Sequence, residues 1–324
     1  MSLQVTRAVV IYTYLLSVLL LLLVFISSSS LPLVVNSFTL SSSSFSVSSS
    51  SSLSVSSSSS SLLVLAAANT AASIPSSTDI RDKQAIDSTK KAIERPRNTN
   101  FPLIELEFPP LQSLNKLGDG SLRSAIEVDD ANLKFVSKLI KSISFDVLNP
   151  FSAIKKVTLV ISSSSTNSFR TKAQKIAGKG IDVIDSSQVS DDNGNGGMVY
   201  IFISPSSRGD YMMAQQLAKT NNNSCKGVVI VNGFAKAPNS ISGLATMSYY
   251  LKPLTYNSQI AGYLIRSYPS LWTVLDSSGP TSKVLTTYTD TDILVQGTNT
   301  PDLRSSGKLV QKSVDERAIA ARNR

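Results

Sequence analysis

Three short segments place hydroxyl and amide groups where chemistry could be done. Residues 162–165, all serine, follow the apolar run 157–161. Ser204-Pro205-Ser206-Ser207-Arg208 follows the run 199–203, and Asn232-Gly233 follows 228–231. Hydroxyls and backbone N–H groups gathered between strand ends and helix starts can hold an anion. Ser162, Ser163, Ser204, Ser206, Arg208 and Asn232 are therefore the candidate binding residues, with a nucleotide or other anion as the ligand class. The competing reading is turn and cap chemistry, to which the same residue types are suited. No Gly-x-Gly-x-x-Gly and no P-loop accompanies these serines. Gly194-Asn195-Gly196-Gly197 precedes a strand, the wrong place for a phosphate cradle, and reads as loop punctuation.

Glu105 and Glu107 stand two apart in the run 103–108, so on a strand they share a face. Paired carboxylates can act as acid and base. With Leu106 and Phe108 opposite, the pair reads instead as the solvated side of an edge strand. Asp129-Asp130 precedes a helical apolar stripe and reads as a cap ahead of a metal site. Arg266 lies in an otherwise apolar run, and a buried guanidinium needs a partner. The chain has no histidine and one cysteine, Cys225. This excludes histidine-dependent triads, histidine metal sites and internal disulfides. Cys225 reads as a small buried apolar residue. No catalytic residue, cofactor or metal site is expected.

The elements that must position these residues follow from the apolar pattern. Runs at 157–161, 199–203 and 228–231, with a short strand at 181–184, alternate with helical patterns at 168–177 and 210–219. Strands apolar on both faces and separated by helices make an α/β fold: a mostly parallel sheet with helices on both faces, Rossmann-like. Ligands of such sheets bind beyond the strand C-termini, where the serines fall. A helical stretch from Asp79 to Arg95, a strand at 103–108 and a helix from Asp129 or Asp130 to about 143 come first. After Gly233, runs at 249–251, 261–268, 272–275 and 284–288 read as C-terminal antiparallel strands. A solvated helix at 309–321 closes the chain.

No charged residue occurs between Arg7 and Asp79. Arg7, the apolar run 8–26 and the small Ser37 make 1–37 a signal peptide cut before Phe38. An uncleaved anchor is the alternative, since a span takes roughly twenty apolar residues. Residues 38–75 are serine-rich and cannot bury enough surface to offset chain entropy, so disorder is expected. Ser37-Phe38 ahead of this acid-free stretch resembles the bipartite plastid presequence of diatoms and related algae. A secreted or membrane-anchored protein with a glycosylated serine stalk is the competing reading. Asn222-Asn223-Ser224 is a formal acceptor site. Residues 76–96 read as a charged helix or linker, 97–305 as the α/β domain and 306–324 as a basic tail. The net charge of +9 comes from scattered cations. Aromatics lie in apolar runs instead of among those cations, so no nucleic-acid partner is expected.

Three segments resemble a known family. Phe101-Pro102-Leu103-Ile104-Glu105-Leu106-Glu107-Phe108-Pro109-Pro110 with Gly118-Asp119-Gly120 is similar to its opening strand and loop. Val229-Ile230-Val231-Asn232-Gly233 is similar to its apolar strand ending in Asn. Gly262-Tyr263-Leu264-Ile265-Arg266-Ser267-Tyr268-Pro269-Ser270-Leu271-Trp272 is similar to its closing motif. The family is a plastid and cyanobacterial domain of unknown function. It includes the low photosystem II accumulation assembly factor of plant chloroplasts and the C-terminal part of a chloroplast adenylate kinase. The resemblance covers about residues 97–290. It implies a plastid protein with thylakoid membrane or photosystem II assembly intermediates as partners, and supplies no catalytic residues. Its motif residues are Glu105, Pro109, Gly118, Asp119, Asn232, Arg266, Tyr268, Pro269 and Trp272. Arg266, Tyr268 and Trp272 are expected to form one structural corner, with Pro269 turning the chain. The competing class is a nucleotide- or anion-binding enzyme or regulator using the serine rim.

Overall fold

The computed structural model describes residues 72–95, 103–109, 125–147, 154–178, 180–189, 197–220, 225–233, 245–294 and 300–323. The chain divides into two units, Met1–Ser56 and Ser57–Arg324, and every described residue belongs to the second. The leader, Gly118, Asp119, Gly120, Gly194 to Gly196 and the Asn222 triplet lie outside the described residues.

The strands are β1 (Leu103–Glu107), β2 (Lys156–Ile161), β3 (Asp182–Asp185), β4 (Met198–Ile203), β5 (Cys225–Val231), β6 (Thr246–Tyr256), β7 (Gln259–Ser267), β8 (Trp272–Asp276) and β9 (Lys283–Tyr288). The helices among the described residues are α1 (Thr78–Glu94), α2 (Ala125–Val147), α3 (Asn167–Ala177), α4 (Arg208–Thr220), α5 (Asp290–Leu294) and α6 (Leu303–Arg322). All nine strands join one sheet in the order β3-β2-β4-β5-β1-β6-β7-β8-β9. Pairing is parallel from β3 across to β6 and antiparallel from β6 to β9. The fold is therefore mixed α/β, mostly parallel, with C-terminal antiparallel strands, as the apolar runs predict.

Alternation along the strands divides the core between the faces. Val157, Leu159 and Ile161 of β2 pack with Ala85, Ala92 and Ile93 of α1, Leu139 and Ile143 of α2, and Phe169 of α3. Val160 of β2 and Phe202 of β4 pack on the other face with Tyr211, Ala214 and Leu217 of α4. Leu264, Trp272 and Val274 form a third cluster with Ile293 of α5 and Val310 of α6. Both terminal helices are thus integral to the packing. In α1, Ser77 caps the helix by accepting from Ile80 N, and Ile93 Cγ1 lies 3.3 Å from where a Cβ on Gly227 would sit. A side chain at this position of β5 would have to push Ile93 of α1 back by a few tenths of an ångström.

Two expectations are corrected. Glu105 and Glu107 do not mark a solvated edge: β1 lies between β5 and β6, and Glu105 is fully buried. A one-strand alternation cannot show that helices cover both faces of a sheet. Glu107 is half-buried near Lys252, at 3.9 Å. Burial, and then the Glu107 and Glu105 carboxylates, push the Tyr250 phenol well above its ordinary range. Asp129 and Asp130 do not cap α2, which starts four residues before Asp129. Asp130 instead pairs with Lys172 of α3 at 2.7 Å.

The longest miss is β6, eleven residues where the sequence pattern marks three. Pro253 obscures it, since proline lacks a ladder donor. In the structure β1 flanks β6 only as far as Tyr250, and Pro253 faces Tyr263 of β7 beyond that point. Among the described residues no strand pairs with that side of β6 beyond Tyr250, where a missing N–H is tolerated.

Candidate functional site

The expected binding edge is built from the ends of β2 and β4 and the start of α4. Ser162 follows β2, Ser186 follows β3, and Ser206 and Ser207 lead into α4. All of them turn toward one carboxylate, that of Asp210 in the first turn of α4. Its Oδ2 accepts from Ser162 Oγ at 2.7 Å, Ser206 N at 3.1 Å and Ser207 N at 3.0 Å. Its Oδ1 accepts from Ser186 Oγ at 2.6 Å. Ser207 Oγ in turn accepts from Asp210 N at 3.2 Å, which closes a reciprocal capping box. Asp210 is only 1% exposed. Burial opposes its charge, and the hydroxyls of Ser186 and Ser162 with the Ser207 donors outweigh that, holding the carboxyl below its ordinary value.

The site is thus an anion cradle that already holds an anion, supplied by the chain. Ser162, Ser164 and Ser206 hydroxyls complete a triangle with edges of 2.8–2.9 Å on its outer side. Ser163 takes part through its backbone, its N–H donating to Ser186 Oγ at 3.2 Å. Arg208 is exposed on the first turn of α4 and lies outside this network. Asp210 was not singled out from the sequence. Its signal was there: Ser207-Arg208-Gly209-Asp210 has the Ser-x-x-acid spacing of a capping box.

Ser204 and Asn232 belong to a second, separate network. Both hold left-handed backbone, φ +45° and +47°, at the ends of β4 and β5. Asn232 Oδ1 accepts from Phe108 N at 2.9 Å, and its Nδ2 donates to Asn132 Oδ1 of α2 at 2.7 Å. Asn132 Nδ2 donates to Ser204 Oγ at 2.7 Å. Asn tolerates this conformation better than other non-glycine residues. The side chain ties the ends of β5 and β1 to α2, which accounts for the Asn in the motif. Pro109 has a similar part: its carbonyl accepts from Arg81 Nη1 of α1 at 2.7 Å, with the guanidinium 4.6 Å from the Phe108 ring centroid.

The closing motif lies across the sheet from the serine rim: Arg266 of β7 pairs with Tyr250 of β6, which pairs with Glu107 at the end of β1. Arg266 is 3% exposed and grips Asp290 of α5 with both Nη atoms, Nη2 to Oδ2 at 2.7 Å. Trp272 Nε1 donates to Asp290 Oδ1 at 3.2 Å. The guanidinium lies 5.3 Å from the Trp272 ring and 5.8 Å from the Tyr268 ring. Tyr268-Pro269 is a cis bond, and Tyr268 N donates to Ser248 O at 2.8 Å. Arg95, at the end of α1, donates to Thr246 Oγ1 beside this corner. Burial lowers its guanidinium below the ordinary value, against the pull of Tyr268 and Asp290. Arg266, Tyr268 and Trp272 do come together as the spacing predicts. Asp290, the partner of Arg266 and Trp272, was missed, since nothing local marks it.

Among the described residues, no group of three or more His, Cys, Asp or Glu is placed to hold a metal ion. Among the same residues, no helix is long and apolar enough to cross a membrane.

The fold and its two carboxylate-centred networks define the class: a mixed α/β domain with two polar networks of its own on different strands of the sheet. A family model described as a domain of unknown function (DUF1995) matches residues 75–291, most of the chain, and the protein belongs to that family. No curated protein and no solved structure matches it significantly.

Proposed function

We propose that the protein is a non-enzymatic plastid factor that assists assembly of thylakoid proteins, with photosystem II intermediates as clients. The observation that carries this reading is the closure of the serine rim by Asp210. The edge where a parallel sheet binds small ligands has the two N–H groups just ahead of α4 and two serine hydroxyls already committed to a buried carboxylate. A phosphate there would meet a fixed negative charge. The parallel half keeps a Rossmann-like plan under this reading but uses its ligand edge as a structural joint. The serine-rich leader, uncharged from Ala8 to Thr78, supports delivery into a plastid, and the three motifs support the assembly role. Affinity purification of the tagged chain from plastid membranes tests the proposal. Recovery with photosystem II assembly intermediates is expected. Recovery with a stoichiometric nucleotide and no protein partner would favour an anion-binding enzyme or regulator instead.

A further inference from the structure

A groove of about 680 Å³ runs between the start of α1 and one side of α2, with Ile176 of α3 at its edge. That volume is in the range of ligand sites. No residue of the serine rim or of the closing corner lines it. Its walls are charged unevenly. α1 contributes Arg81 and Asp82, and α2 contributes Lys134, Lys138 and Lys141. The Asp82 side chain is only 6% exposed and serves two cations, Arg81 Nη2 at 2.6 Å and Lys138 Nζ at 2.7 Å. Lys138 also meets Asp79 at 2.9 Å, and that carboxylate is almost wholly in water. Lys134 and Lys141 are exposed, and neither pairs with a carboxylate among the described residues. Four cations thus face two carboxylates, one of them screened by solvent. The acids at the other end of the groove are already engaged. Asp130 is held by Lys172 of α3 at 2.7 Å, and Glu127 sits in the first turn of α2, where it offsets the positive end of that helix.

The form of the cations selects the kind of anion. Arg81 has Nε and Nη2 on Asp82 and Nη1 on the Pro109 carbonyl, so it presents no fork to a phosphate. What the groove offers is two lysines on flexible stems, compact charges that suit separate carboxylates. They stand seven residues apart on α2, about 10 Å along its axis. Three residues of extended chain cover about the same distance. Beyond Lys134 the groove is lined by half-buried Val128, Ala131 and Ile176, which suit an apolar side chain next to the acidic pair.

We propose that this groove binds an extended acidic segment of a partner protein, with two carboxylates three residues apart on Lys134 and Lys141 and an apolar neighbour on Val128, Ala131 and Ile176. The inference rests on the assembly reading above, since it names the surface through which a client would be held.

The test uses the purified full chain and a fluorescent peptide, Leu-Glu-Ser-Ser-Glu-Leu, followed by anisotropy. Binding should be saturable and should weaken as salt is added. The double variant Lys134→Gln, Lys141→Gln should keep the wild-type melt, since both side chains are exposed and unpaired, and should bind about tenfold more weakly. Lys134→Arg, Lys141→Arg should keep the binding. So should Lys219→Gln, Lys283→Gln, which removes two exposed lysines from α4 and β9. A peptide with glutamine for both glutamates, or with the two glutamates adjacent, should bind no better than the double variant does. Absence of saturable binding, an equal loss in the Lys219 and Lys283 variant, or equal binding of the adjacent-glutamate peptide would each overturn the proposal. Displacement of the peptide by inorganic phosphate at a matching concentration would overturn it by making phosphate the ligand. Binding of phosphatidylglycerol vesicles that is lost in the Lys134 and Lys141 variant would do the same for a membrane. None of these readouts involves a plastid client. Failure here leaves the assembly role standing, and failure to recover assembly intermediates leaves the groove standing.

Discussion

The serine rim and the closing corner solve the same problem with opposite signs. At the serine rim the buried ion is an anion, Asp210, and its partners are neutral donors from three parts of the chain. At the closing corner the buried ion is a cation, Arg266, and its partner Asp290 has a side chain 56% exposed. The rim stabilises charge by hydrogen bonds without a counter-ion. The corner pairs charge and leaves one partner in water. Asp210 is therefore hard to replace, because a neutral side chain strands several donors at once. Asp290 and Arg266 should be unequal, because only one of them is buried.

Substitutions test that contrast. Asp210→Ala should have the largest effect, about 3–5 kcal/mol by denaturant unfolding, since each buried donor left without an acceptor costs about 1–3 kcal/mol. A loss below about 1 kcal/mol would mean that water replaces the carboxylate without difficulty. Asp290→Ala should come next, at about 2 kcal/mol, because it leaves a buried guanidinium unpaired while the exposure of Asp290 screens part of the loss. Arg266→Met should cost less, about 1 kcal/mol, as the freed carboxylate is hydrated and the aliphatic stem is kept. Equal losses for the Asp290 and Arg266 variants would remove the asymmetry on which the comparison depends.

The smallest effect is that of pH. A carboxyl held below its ordinary value stabilises the fold fully above the unfolded-state value, near 3.8. That contribution is lost as pH falls through the lower folded value. Wild-type stability should therefore fall in this acid range more steeply than that of Asp210→Asn. Parallel curves for the two proteins would show that Asp210 gains nothing from its ionised form.

Much of the fold was legible because strands buried on both faces read as unbroken apolar runs. The runs that became β2, β4 and β5 and the helices after them needed no long-range information. What failed were features that depend on neighbours distant in sequence. The position of β1 at the middle of the sheet turned Glu105 from a surface residue into a buried one. The true length of β6 was masked by Pro253, whose fitness depends on where β1 stops. Within the candidate rim, Ser162 and Ser206 do meet, 44 positions apart. Its meaning turned on Asp210, visible locally only as a capping-box residue. Ser204 and Asn232, assigned to the same rim, joined Asn132 in another network, and no spacing rule links residues 72 and 100 positions apart. At the corner, Arg266, Tyr268 and Trp272 were legible because they share one short motif, and Asp290 was not because it follows the next strand.

The central claim is that the serine rim is a joint closed by its own carboxylate, and not a site for external anions. Chemical rescue tests it directly. Melting temperatures of the wild type and of Asp210→Ala would be followed against formate, acetate, phosphate and ATP at constant ionic strength. Formate or acetate should raise the melting temperature of the variant, by entering the position that Asp210 vacates, and none of the four should move the wild type. A saturable rise in the wild type with phosphate or ATP, removed by Ser206→Ala, would contradict the account and make the rim a ligand site.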